Sequence, residues 1–127
     1  MSFVFFNPNP EKNRVGDCAV RSICAAENEE WDKVYMGLSV EGFFLKDMPD
    51  SKDVWWSYLR RLGYNRSALP NTCPDCYTVS DFAQDYPEGT YILATTDHVV
   101  CVKNGDILDT WDSSDKTPLY YWTKDGK

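Results

Sequence analysis

Histidine is nearly absent: His98 is the only one in 127 residues. A structural zinc site takes four Cys or His ligands at set spacings. Cys73-Pro-Asp-Cys76 supplies two, and neither a second Cys pair nor a suitably spaced His completes the set. The run Asp109–Asp115 lacks the Gly and the closing Glu of a calcium-binding loop, so Asp112 and Asp115 read as solvated loop charges. No cofactor is therefore expected. Basic residues are also few, 13 Lys and Arg against 20 Asp and Glu, for a formal charge of −7. Binding a phosphate backbone needs clustered cations, so nucleic acid is excluded as a partner. No apolar run nears the roughly 18 residues that suggest a membrane span, which excludes a membrane partner. The opening MSFVFFNPNPEKNR has no basic leader and no small-residue cleavage site, so a cytoplasmic location is expected. Repeats and Pro/Ser-rich tracts are missing too. With 43% hydrophobic and 15% aromatic residues the chain can build a core, and its length fits a single domain over 1–127.

Five cysteines are present: Cys18, Cys24, Cys73, Cys76 and Cys101. An odd count without the even framework of a small secreted scaffold predicts reduced thiols, at least one of them free for chemistry. The Cys73–Cys76 pair sits in a loop rather than between a strand and a helix, and reads as a turn with two incidental thiols. Redox chemistry through it is a weaker alternative.

The first half reads as helical. Residues 1–16 suggest an extended arm and a Pro/Asn-rich loop. From Asp17, a good N-cap, Val20, Ile23, Cys24 and Glu27 recur at helical spacing and put Cys18 in the first turn. A second helix is predicted over 29–38. A third begins at Asp50 or Ser51, carries Val54, Trp55, Tyr58, Leu59 and Leu62 on one side, and stops at Gly63. At least one of Trp55 and Trp56 is core at that spacing. A short helix over 78–86 is capped by Thr78 and closed by Pro87. The last third turns to β-branched and aromatic runs. Asn104-Gly105 between two of them predicts a type I′ hairpin, and PLYYW offers a further strand. The fold class is α+β, an N-terminal helical half packed on a C-terminal antiparallel sheet.

A two-residue turn at Asn104-Gly105 sets Lys103 opposite Asp106 and His98 opposite Trp111. Alternation across the hairpin then puts Asp109 diagonally beside His98, with Asp112 pointing the other way. A carboxylate on one imidazole nitrogen leaves the other to take a proton from a nucleophile. Cys18 supplies one, since the positive end of a helix and a neighbouring imidazolium both favour the thiolate. The Cys18 backbone N–H is a natural oxyanion donor. Asn13 is the candidate for the second, with Asn7, Asn9 and Lys12 as alternatives.

These residues resemble the papain-like cysteine peptidases. Gly16-Asp17-Cys18 is similar to that family's Gly-x-Cys helix entry, Asp97-His98 to its Asp-His strand, and Asp109-Thr110-Trp111 to its Asn-Ser-Trp segment. An Asp in place of Asn, in so short a chain, looks closest to bacteriocin-leader-processing peptidase domains and to small bacterial and phage proteins of this form. The family's Cys-Gly-Ser-Cys-Trp signature is absent, and Lys12 stands where its Gln usually precedes the nucleophile. The resemblance implies a papain-like domain with the site in a cleft between its halves. It implies a cysteine hydrolase, peptidase or amidase, that works on a peptide or protein through Cys18, His98 and Asp109 and an acyl-enzyme, with Trp111 shielding the His98–Asp109 bond. The alternative it leaves is a catalytically inactive papain-fold protein that binds a partner protein.

Overall fold

A computed structural model describes residues 2–124. The elements run β1 (Ser2–Phe5), α1 (Cys18–Glu27), α2 (Trp31–Leu45), α3 (Lys52–Arg61), β2 (Tyr64–Ala68), α4 (Val79–Asp85), β3 (Thr90–Ala94), β4 (Val99–Lys103), β5 (Asp106–Asp109) and β6 (Tyr120–Lys124). The class is α+β. The strands form one sheet in the order β1-β5-β4-β3-β6-β2, in which β1 and β5 are parallel and every other pair is antiparallel.

That order corrects the expectation of a C-terminal antiparallel sheet. The arm predicted before the loop is an edge strand, because Phe6 N–H donates to the Asp109 carbonyl at 2.8 Å and docks it beside β5. The opposite edge is β2, whose sequence YNRSA carries no strand pattern. It is held by pairing with β6 and by Arg66, whose guanidinium lies 4.4 Å from the Trp56 ring centre and 5.3 Å from that of Tyr120.

Both faces of the sheet are covered. On one, Ile92, Ala94, Val99 and Trp122 pack against Val20, Ile23, Leu38, Val54, Trp55 and Leu59 of α1, α2 and α3. On the other, Tyr91, Leu93, Val100, Val102 and Ile107 meet Val79, Phe82 and Ala83 of α4. The period-two alternation of β3 and β4 divides their residues between the two cores. Helix α1 lies deepest, with Ala19 through Ala25 all buried. Helix α2 is longer than predicted and runs through Gly42, where the Asp47 carbonyl would lie 2.6 Å from an added Cβ. Buried Glu41 joins α2 to α3 by accepting from Arg61 at 3.0 and 3.1 Å and from Ser57. Among the described residues no helix is long and apolar enough to cross a membrane.

The β4–β5 hairpin has the expected register, with Lys103 opposite Asp106, and both Asn104 (φ 51°) and Gly105 (φ 82°) sit in the left-handed region that a type I′ turn requires. The predicted cap of α4 is a full capping box: Asp81 N–H donates to Thr78 Oγ1 at 3.1 Å and Thr78 N–H to Asp81 Oδ2 at 3.0 Å. One expectation fails in the 70–78 loop. Thr72 Oγ1 donates to the Asp75 carbonyl and Asn71 Oδ1 accepts from Cys73 N–H, a tight turn that brings the Cys73 and Cys76 Cα atoms to 4.1 Å. The two cysteines are joined there as a disulfide and are not free thiols.

Candidate active site

Four chain segments meet at one end of the sheet: the close of β1, the start of α1, the residue ahead of β4 and the end of β5. The parallel β1–β5 pair sends the chain into the 7–16 loop, which returns it to the helix start at Cys18. Asn9 is buried in that loop, and its Oδ1 accepts from the N–H groups of Glu11 (2.8 Å) and Asn13 (3.4 Å). Asn13 itself is exposed, and the hydrogen bonds it makes to Asn7 and Asn9 use its backbone.

Asp109 is 1% exposed and faces His98, whose Nε2 lies 2.7 Å from its Oδ2. Asp112, the other carboxylate of this stretch, is exposed and accepts from Ser114 N–H at 3.1 Å. A carboxylate offers about four acceptor sites, and Asp109 fills them. Oδ2 also takes Ser113 Oγ at 2.7 Å, while Oδ1 takes Thr110 N–H at 2.8 Å and Arg21 Nη1 at 3.3 Å. Burial opposes its charge, but the hydrogen bonds from His98 and Ser113 and the imidazolium charge together hold its carboxyl below the ordinary value.

With Nε2 given to Asp109, Nδ1 is the nitrogen left for the Cys18 thiol, which interacts with His98. Burial would raise the Cys18 pKa. Its hydrogen bond to His98, a backbone hydrogen bond from Val99 and the charges of His98 and Arg21 outweigh that and lower it. The same interactions act in reverse on His98. Burial disfavours the imidazolium, yet Asp109 and Cys18 raise its pKa from 6.5 to about 9. The two shifts favour a thiolate–imidazolium pair at neutral pH. The other two free thiols, Cys24 and Cys101, are buried and pushed up to about 12. The Trp111 ring centre lies 4.6 Å from that of His98 and covers one side of it, with Trp111 itself 41% exposed.

Asp17 behaves differently from its predicted role. It occupies the N-cap position, but its side chain makes no capping bond. Oδ1 accepts from Arg21 Nε at 3.1 Å and Oδ2 from Trp31 Nε1 at 2.9 Å. The backbone N–H groups at the start of α1 are therefore left uncapped by it, beside Cys18. Arg21 escaped the sequence reading, since an Arg inside a helix reads as solvated. Its spacing four residues after Asp17 was the available signal. A cleft of about 470 Å³ opens beside Cys18, walled mainly by Val15, Val20, Trp31, Tyr35, Met48 and Trp55, with Gly16 also on its wall.

No family model, no curated protein and no solved structure matches this chain.

Proposed function

We propose that the protein is a papain-like cysteine hydrolase, acting on peptides or related amides through Cys18, His98 and Asp109. The observation that carries this reading is the His98 Nε2–Asp109 Oδ2 pair at 2.7 Å beside Cys18 at the start of α1, with the thiol acidified and the imidazole made more basic by their interaction. In the reaction, the Cys18 thiolate forms a bond to the carbonyl carbon, and the electron pair of the C=O moves onto its oxygen. N–H groups at the start of α1, which the Asp17 side chain does not cap, suit that oxyanion. The C–N bond breaks as the imidazolium gives its Nδ1 proton to the leaving nitrogen, and the amine departs. Water, deprotonated by the now neutral His98, attacks the thioester, and the C–S bond breaks to release the acid and restore the thiolate. Asp109 keeps the imidazole oriented throughout.

The cleft walls come from the residues ahead of α1, from α1, α2 and α3, and from the loop after α2, whereas Trp111 covers His98. The acyl side of the substrate is assigned to the cleft and the leaving group to the Trp111 side. The mainly apolar walls suit a bulky apolar acyl-side residue. A cytoplasmic setting belongs to this reading because the nucleophile must stay reduced; the Cys73–Cys76 disulfide is the feature that pulls the other way. A second reading, a papain-like protein that binds a partner protein without cleaving it, draws on the exposed apolar face of α2 formed by Met36, Val40, Phe43 and Phe44.

The test is a panel of peptide thioesters with varied acyl-side residues, read by intact-mass spectrometry for an adduct on Cys18 and by product release. The native protein is expected to acylate and turn over with Phe- or Leu-type esters, and Cys18→Ala to do neither. An added Cβ at Gly16 meets nothing within 4 Å, so Gly16→Phe is expected to fold and to lose acylation by narrowing the cleft. Absence of any adduct on the native protein across the panel would remove the hydrolase reading and leave the binding one.

A further inference from the structure

Arg21 is a buried cation, 6% exposed, one turn into α1 from Cys18. Its guanidinium spans two carboxylates, with Nε 3.1 Å from Asp17 Oδ1 and Nη1 3.3 Å from Asp109 Oδ1. Each of those carboxylates turns its other oxygen to a partner in the site. Asp109 Oδ2 meets His98 at 2.7 Å, and Asp17 Oδ2 accepts from the indole of Trp31, a wall of the cleft, at 2.9 Å. We infer that Arg21 is a positioning residue: anchored by Asp17, its planar fork clamps one oxygen of Asp109 so that the other stays on His98, and joins the triad to the cleft wall at Trp31. The inference rests on the triad reading above.

The physical reason lies in the torsion of an aspartate carboxyl, whose last rotation is broad and poorly defined by sterics alone. A hydrogen bond to His98 on one oxygen leaves the plane of the group free to tilt unless the second oxygen is also held. Thr110 N–H and Arg21 hold it from two directions. Only a guanidinium has donors in one rigid plane that reach both Asp17 and Asp109; a lysine ammonium is a single point charge on a flexible stem. Arg21 also balances charge. The groups that face one another here are Asp17 ahead of α1, Cys18 and Arg21 on α1, His98 ahead of β4 and Asp109 at the end of β5. Without Arg21, two buried carboxylates and a thiolate would share one imidazolium, a cost that a packed interior tolerates poorly.

Arg21→Lys keeps the charge and removes the fork, so it separates positioning from mere neutralisation. Two signals are read in folded protein: the rate of Cys18 alkylation by iodoacetamide at pH 6, and the NMR resonance of the Nε2 proton of His98, unambiguous because the chain has one histidine. Arg21→Lys is expected to retain the native circular dichroism, to lower the alkylation rate by about tenfold, equivalent to one pH unit in the thiolate midpoint, and to shift or broaden the Nε2 proton. Arg21→Met is expected to do more. Native values of both signals in folded Arg21→Lys would overturn the inference. Should neither variant fold, Asp17→Asn takes away only the anchor and is read in the same way, with native values again contradicting the proposal. Failure of the triad reading looks different, since Cys18 would then titrate ordinarily in the unaltered protein.

Discussion

Asp109 brings a nearly inaccessible carboxylate to the end of β5, and such a group is tolerated because four donors surround it, two of them, Arg21 and protonated His98, cationic. Its partner His98 carries the consequence for pH. With a pKa raised from 6.5 to about 9, the stabilisation that His98 contributes is fully present below about pH 6.5 and is lost as pH rises through about 9. Asp109 is depressed, so its contribution is present above its ordinary carboxylate range and lost as pH falls through the folded value. The difference in unfolding free energy between the native protein and His98→Gln, measured by urea, is therefore expected to be larger at pH 6 than at pH 10. An equal difference at both would contradict the ion pair. At this scale the sequence was informative where a rule is local. The lone His, the Cys at a helix start and the alternation that selects Asp109 over Asp112 all follow from near neighbours. Beyond the four-residue spacing of Asp17 and Arg21, the part these two play was not legible, because it depends on partners far away in the chain and on burial that the helix pattern does not state.

Elements with their own signals were readable, and those that borrow stability from neighbours were not. The Asn104-Gly105 hairpin needs only two residues with positive φ, and the Thr78–Asp81 box needs only a four-residue spacing. In contrast, β2 has no apolar alternation and exists through its ladder to β6 and the stacking of Arg66. The second half of α2 was missed because its exposed apolar side chains and Gly42 blur the helical period. Helix α4 is the element whose stability isolates best from the site. Its seven residues start with the capping box, and its Val79 and Ser80 N–H groups hold the carbonyls of Lys116 and Ser114. Thr78→Ala is expected to cost about 1 kcal/mol in urea unfolding and to leave Cys18 alkylation unchanged. A loss of Cys18 reactivity matching the loss of stability would show that the cap also supports the site, through the Ser113 loop.

At the scale of the whole molecule, one sheet with helices on both faces gathers four distant segments at a single end. The helical first half and the strands of the last third could be read from periodicity, and so could the α+β class. The strand order could not, because parallel docking of β1 on β5 and the outer place of β2 are long-range pairings without a local code. The same topology makes the central claim measurable in one protein. Of the three free thiols, Cys24 and Cys101 are buried, and only Cys18 stands at the cleft. The measurement is the pH dependence of iodoacetamide alkylation at each cysteine, resolved by mass spectrometry, in the native protein and in His98→Ala. Cys18 is expected to react with a midpoint well below that of an ordinary thiol, about 8.5, with His98→Ala abolishing the difference while Cys24 and Cys101 stay inert. A Cys18 that titrates like an ordinary thiol, or that keeps an acid midpoint without His98, would contradict the thiolate–imidazolium pair and the hydrolase built on it.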